Sequence, residues 1–147
     1  MAQSQPPLSV DSARRMLQEV GLRRTASRVA VLQELAGIES PLTHAEISER
    51  LESAGFGPPT VFRCLSDLTE AGLAARLDLG DHVWRFGFHG RQEEPAGDHP
   101  HFLCTDCGKA TCLTGVKIRV SGRRGRQPTD FGEVTDVVLK GRCIDCR

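Results

Sequence analysis

Four of the six cysteines in this 147-residue chain form two C-x-x-C pairs, Cys104/Cys107 and Cys143/Cys146. Thiolates separated by two residues on a tight turn both reach one ion. Two such knuckles close a tetrahedral shell of four sulfurs, the donor set of a structural zinc. A closed shell leaves no position for water or substrate, so the chemistry it implies is structural rather than catalytic. The competing reading is a pair of exchange disulfides. Such a pair sits at a helix N-terminus within a βαβ unit, and neither pair here has that context. The remaining cysteines, Cys64 and Cys112, are single. The pattern fits a metal protein of a reducing compartment better than a secreted disulfide scaffold.

Composition narrows what the knuckles support. At this length the chain forms one large domain or two small ones, and small units lean on a metal or a dimer interface because their cores are thin. Met1–Pro7 is polar, and no run approaches a membrane span, so we expect a soluble, cytoplasmic protein without membrane contact. Net charge is zero, and residues 1–88 carry nine Lys/Arg against eleven Asp/Glu. Any nucleic-acid site must come from local clustering, and arginines do cluster at Arg14, Arg15, Arg23, Arg24 and Arg28.

The elements that would carry these residues follow from periodicity. Asp11–Val20 has apolar positions 13, 16, 17 and 20, an amphipathic helix stopped by Gly21. Thr25 caps a second helix ending at Gly37. Thr43-His44-Ala45-Glu46 is a capping box opening a third, with His44 on its surface. A fourth starts at Pro58-Pro59-Thr60 and ends at Ala71-Gly72. It buries Val61, Cys64, Leu65 and Leu68, and turns Thr60, Arg63, Ser66 and Asp67 outward. Leu73–Leu79 and Val83–Phe88 then flank Gly80-Asp81 as a hairpin, with Trp84 expected to pack between hairpin and helix. Helices followed by a two-stranded hairpin is the order of a winged helix-turn-helix. Gly90–Gly97 reads as a linker, His101–Cys104 and Val134–Lys140 as strands, and Gly115–Arg126 is ambiguous between strand and short helix.

These residues, taken together, resemble the ferric uptake regulator superfamily. Gly21-Leu22-Arg23-Arg24-Thr25-x-x-Arg28 is similar to its N-terminal signature. Pro59-Thr60-Val61-Phe62-Arg63-x-Leu65 with Ala71-Gly72-Leu73 is similar to its recognition helix, with Phe62 where tyrosine is usual. His99-x-His101-x-x-Cys104-x-x-Cys107-Gly108-Lys109 and Gly141-x-Cys143-x-x-Cys146 resemble its metal motifs, and the match spans about residues 12–146. The resemblance implies an α+β protein: a winged-helix DNA-binding domain (1–88), a hinge (89–97) and a small α/β dimerisation domain (98–147). It implies a homodimeric, metal-responsive repressor of a double-stranded DNA operator, neither an enzyme nor a binder of a small-molecule substrate. Thr60, Phe62 and Arg63 would meet the DNA, Arg63 at a base or a phosphate, with at least one of Arg23, Arg24 and Arg28 on phosphates.

The resemblance also implies a second, regulatory divalent metal, and here the chain departs from the family pattern. Pro41, Arg85, Pro100 and Cys112 replace a common histidine, glutamate, aspartate and glutamate; Arg119 and Thr135 remove a further site. Two readings stay open. In one the sensor is rewired as His99, His101 and Cys112 with His82, His89 or Asp98, a softer shell favouring zinc, as in a zinc uptake regulator, over ferrous iron. In the other, sensing is lost. Iron-responsive or peroxide/thiol-sensing regulation, and a zinc-ribbon protein-interaction module without DNA binding, are the alternatives in function.

Overall fold

The computed structural model describes residues 7–89, 99–120 and 133–147, and its chain contacts divide at Ala96/Gly97 into two compact units. In the first unit four helices, α1 (Val10–Glu19), α2 (Ala26–Gly37), α3 (His44–Leu51) and α4 (Pro58–Glu70), pack with a three-stranded antiparallel sheet ordered β1-β3-β2. Its strands are β1 (Leu42–Thr43), β2 (Ala74–Asp78) and β3 (Trp84–Phe88). The helix starts obey their capping signals. The Thr25 hydroxyl accepts from Arg28 N–H at 3.3 Å, and the Thr43/Glu46 box is closed in both directions. No side chain caps α4; Pro58 and Pro59 fill its first positions, where a missing N–H costs nothing.

Gly72, at φ 81°, ends α4 in a Schellman turn: its N–H bonds Thr69 O, and Leu73 N–H bonds Leu68 O. That turn sends the chain directly into β2. One core is shared by all four helices and the sheet. Leu17, Leu32, Leu35, Ile47, Leu65 and Leu68 are fully buried, and Phe86 seals them from the sheet. The two-residue β1 had no periodic signal. It exists because Leu42↔Phe86 and Thr43↔Arg85 pair just before the α3 cap. Trp84 departs from expectation: it is 48 % exposed, with the Arg76 guanidinium 4.1 Å from its ring centroid, rather than packed on a helix.

The second unit is a three-stranded sheet ordered β5-β4-β6, with β4 (His101–Cys104), β5 (Ala110–Cys112) and β6 (Val138–Gly141). β5 returns antiparallel after the first knuckle, and β6 runs parallel to β4. The strand expected over Val134–Lys140 pairs only from Val138. It pairs from where its partner β4 begins, at His101, whose N–H reaches Val137 O at 2.9 Å. Residues 115–120 are neither helix nor strand, while the rest of the ambiguous Gly115–Arg126 segment and the Gly90–Gly97 linker lie outside the described residues. The architecture is α+β.

The α4 core face gives a direct test. Leu65→Ala removes a fully buried side chain and is expected to cost about 2–5 kcal/mol, measured by urea unfolding. Phe62→Ala, on the exposed face of the same helix, is expected to fall within about 0.5 kcal/mol of wild type.

Candidate metal centres and nucleic-acid interface

Cys104 ends β4, and the turn after it is closed twice: Gly108 N–H donates to Cys104 O at 3.0 Å and Cys104 N–H donates to Lys109 O at 2.9 Å. Gly108 takes φ 73°, a conformation glycine adopts without strain. A matching turn after β6 is closed by Cys146 N–H on Cys143 O at 3.1 Å. The parallel pairing of Cys104 with Gly141 brings the two turns together. The four sulfurs of Cys104, Cys107, Cys143 and Cys146 then lie within 4.8 Å of one another.

Backbone N–H groups, those of Cys107 and Cys143 foremost, pull the buried Cys104 thiol down to about 6; the Cys143 contact is 3.3 Å long. Cys146 is pushed up to about 12, chiefly through its hydrogen bond to Cys143. The cluster thus favours a thiolate at Cys104 and disfavours one at Cys146, a balance that a divalent cation relieves. The donor set fits zinc: four soft sulfurs and no open side for water. Asp106–Arg142 at 3.1 Å and Lys109–Asp145 at 3.8 Å cross between the knuckles as exposed pairs, which contribute little.

A second cluster forms at the other end of β4. His101 pairs with Cys112 across the β4–β5 ladder, and His99 stacks on His101 with ring centroids 4.9 Å apart. One donor atom from each of His99, His101 and Cys112 lies within 4.8 Å of the others. Burial, then the neighbouring His99, lowers the His101 pKa, keeping a neutral imidazole with a lone pair to give. Burial pushes the Cys112 thiol up to about 11. His82 and His89 belong to the first unit and are exposed, His82 at φ 59° on the hairpin turn, and Asp98 lies outside the described residues.

In the first unit Thr60, Phe62 and Arg63 are exposed together on the first turns of α4. His44, expected on the surface of α3, lies there and braces this face. Its Nε2–H donates to Pro58 O at 2.8 Å, and its ring meets Phe62 edge-on at 5.5 Å. Arg23 and Arg24 are exposed ahead of α2. Arg28, in the same cluster, is instead engaged with Asp67 of α4 at 2.7 Å. The pairings of His44, Arg28 and Asp67 cross 14 to 39 residues of sequence, so no local spacing could have announced them. On the hairpin, Arg85 is buried and holds Asp81 through two hydrogen bonds of 2.9 and 2.8 Å.

The profile of the ferric uptake regulator family matches residues 19–131 of this chain. The peroxide-responsive repressor PerR of Staphylococcus aureus is 27% identical over 135 residues, covering 89% of this chain and 86% of that protein. The Vibrio cholerae ferric uptake regulator superposes with a TM-score of 0.64 at 20% identity, over 88% of this chain and 98% of that one. A zinc uptake regulator solved with zinc and DNA superposes with a TM-score of 0.56 at 18% identity, over 93% and 91% of the two chains.

The hairpin lock is testable by pH. The Arg85 hydrogen bond holds the Asp81 carboxyl below its ordinary 3.8, so its stabilisation is complete above that value and fades as pH falls through the lowered one. Asp81→Asn is expected to cost about 1–3 kcal/mol at pH 7. Urea melts between about pH 3 and 7 should show that deficit shrinking toward the acid end.

Proposed function

The chain belongs to the ferric uptake regulator family, and from that premise we propose that it is a homodimeric, zinc-responsive repressor binding a palindromic DNA operator in the cytoplasm. The winged-helix residues 1–88 read the duplex, 89–97 form the hinge and 98–147 hold the metals and the dimer contact. The observation that carries the reading is the convergence of His99, His101 and Cys112 within 4.8 Å, beside but separate from the four-cysteine cluster.

Cys104, Cys107, Cys143 and Cys146 hold the structural zinc, which supplies a fixed tetrahedral crosslink between the knuckles. His99, His101 and Cys112 hold the sensed ion, and a thiolate beside two imidazoles favours zinc over iron or manganese. Affinity for metal and for operator are linked reciprocally: whichever arrangement of the chain lets these three donors converge is the one that metal populates. His82 on the hairpin turn is a further candidate donor. On DNA, Thr60, Phe62 and Arg63 face the major groove while Arg23 and Arg24 grip phosphates. The four-thiolate shell leaves no position for a reacting water, and the family assignment supports a regulator rather than an enzyme.

A peroxide-sensing reading draws on the Staphylococcus aureus relative and on a thiol at the sensing cluster. The two separate cleanly. With zinc sensing, a mild chelator is expected to weaken operator binding by about tenfold or more while circular dichroism is unchanged, and zinc restores it. Cys112→Ser is expected to bind operator with little response to zinc. Peroxide release of DNA with no effect of chelator or added zinc would overturn the zinc reading in favour of the other.

A further inference from the structure

Arg28 stands in the first turn of α2 and makes three side-chain hydrogen bonds. Its Nε and Nη2 both donate to Asp67 Oδ2, at 3.2 and 2.7 Å, and its Nη1 donates to Arg23 O at 3.1 Å. Asp67 lies four residues after Arg63 and seven after Thr60, so all three share one stripe of α4. The guanidinium therefore grips the stripe that carries the base-reading candidates. With its remaining arm it grips the backbone of the segment that carries Arg23 and Arg24.

Core packing gives α4 its buried face, through Val61, Leu65 and Leu68, and the contacts at its rim add a directional restraint. A planar guanidinium bound to one carboxylate and one carbonyl is directional, and lysine, a point charge, cannot reproduce it. The pair sits at the rim, its side chains 20% and 38% exposed, between the core and the exposed Arg63 face. It also neutralises Asp67, the one carboxylate among the outward residues of α4 through its first three turns.

We propose that Arg28 is a positioning residue for sequence reading: one guanidinium fixes the rotation of α4 through Asp67 and the Arg23–Arg24 segment through the Arg23 carbonyl. Base-reading and phosphate-gripping groups are thereby held in one mutual register. This rests on the DNA-binding reading above, and it removes Arg28 itself from the list of phosphate contacts.

The two roles predict opposite signs at Asp67. If α4 were merely an electrostatic surface, deleting an acid from it would tighten DNA binding; with the clamp, deleting it loosens binding to the correct sequence. The experiment uses the full-length, zinc-loaded chain and a duplex that it enriches from random-sequence DNA. Affinities for that duplex and for an unrelated duplex are measured over a range of salt. Arg28→Ala, Arg28→Lys and Asp67→Asn are each expected to lose about tenfold on the enriched duplex. The Arg28→Ala/Asp67→Asn double variant is expected to lose no more than either single one. The salt slope and the weak binding to unrelated DNA are expected to stay at wild-type values.

The proposal is overturned if Arg28→Ala lowers the salt slope by about 1 and Asp67→Asn is neutral or tighter. It is equally overturned if the variants lose thermal stability while the ratio of specific to unrelated affinity is unchanged. Arg28→Lys and Asp67→Asn preserve side-chain size, so the comparison survives an alanine variant that fails to fold. Failure of the wild-type chain to enrich any duplex removes the DNA-binding reading and the proposal with it. Enrichment by wild type with phosphate-like behaviour at Arg28 removes the proposal alone.

Discussion

Four sulfur atoms drawn within 4.8 Å of one another are the constraint on which the second unit depends. Its apolar core among the described residues is thin: Leu103, Cys104 and Ala110 are the buried hydrophobics. A sheet of three short strands with so little burial does not hold its own register. The knuckles sit where the strand pairing brings the end of β4 to the end of β6, and a metal held there would reinforce the register that sets His101 opposite Val138 and Cys112. The His99–His101–Cys112 cluster sits three residues back along the same strand, about 10 Å away. Its geometry is inherited from the sulfur cluster.

The first unit solves a different problem with different means. A chain of zero net charge has no broad positive field to draw it onto DNA, so contact must come from a few well-placed groups. The side-chain contacts follow that logic. His44 braces Phe62 and the first turn of α4, Arg28 engages Asp67 in its third turn, and Arg85 locks Asp81 in the hairpin. The first two join segments distant in sequence, 14 and 39 residues apart, while the Arg85–Asp81 pair is local to the hairpin. Where the family pattern would place a glutamate, Arg85 is buried as the hairpin's internal ion pair, which takes that position out of metal chemistry.

Much of this was legible in the residues themselves. Helix starts at Thr25, Thr43 and Pro58 and the stops at Gly21 and Gly72 are local chemistry, read within four or five residues. The two C-x-x-C pairs and His99/His101 declare their grouping through spacing. What stayed hidden was non-local or short. β1 and β5 are too brief to show a period, and the start of β6 follows from where its partner β4 begins. Trp84, expected between hairpin and helix, is exposed instead, with Arg76 of the neighbouring strand over its ring. The partners of His44 and Arg28 lie across the fold, where sequence separation carries no signal.

A zinc ion that orders the second unit would be held by sulfur alone. X-ray absorption at the zinc edge tests it most directly, on protein stripped of exchangeable metal by mild chelation. The expected spectrum is four sulfur scatterers at about 2.3 Å with no nitrogen or oxygen neighbour. A folded protein that retains no zinc, or one whose retained zinc is bound by mixed nitrogen and oxygen donors, would contradict the account.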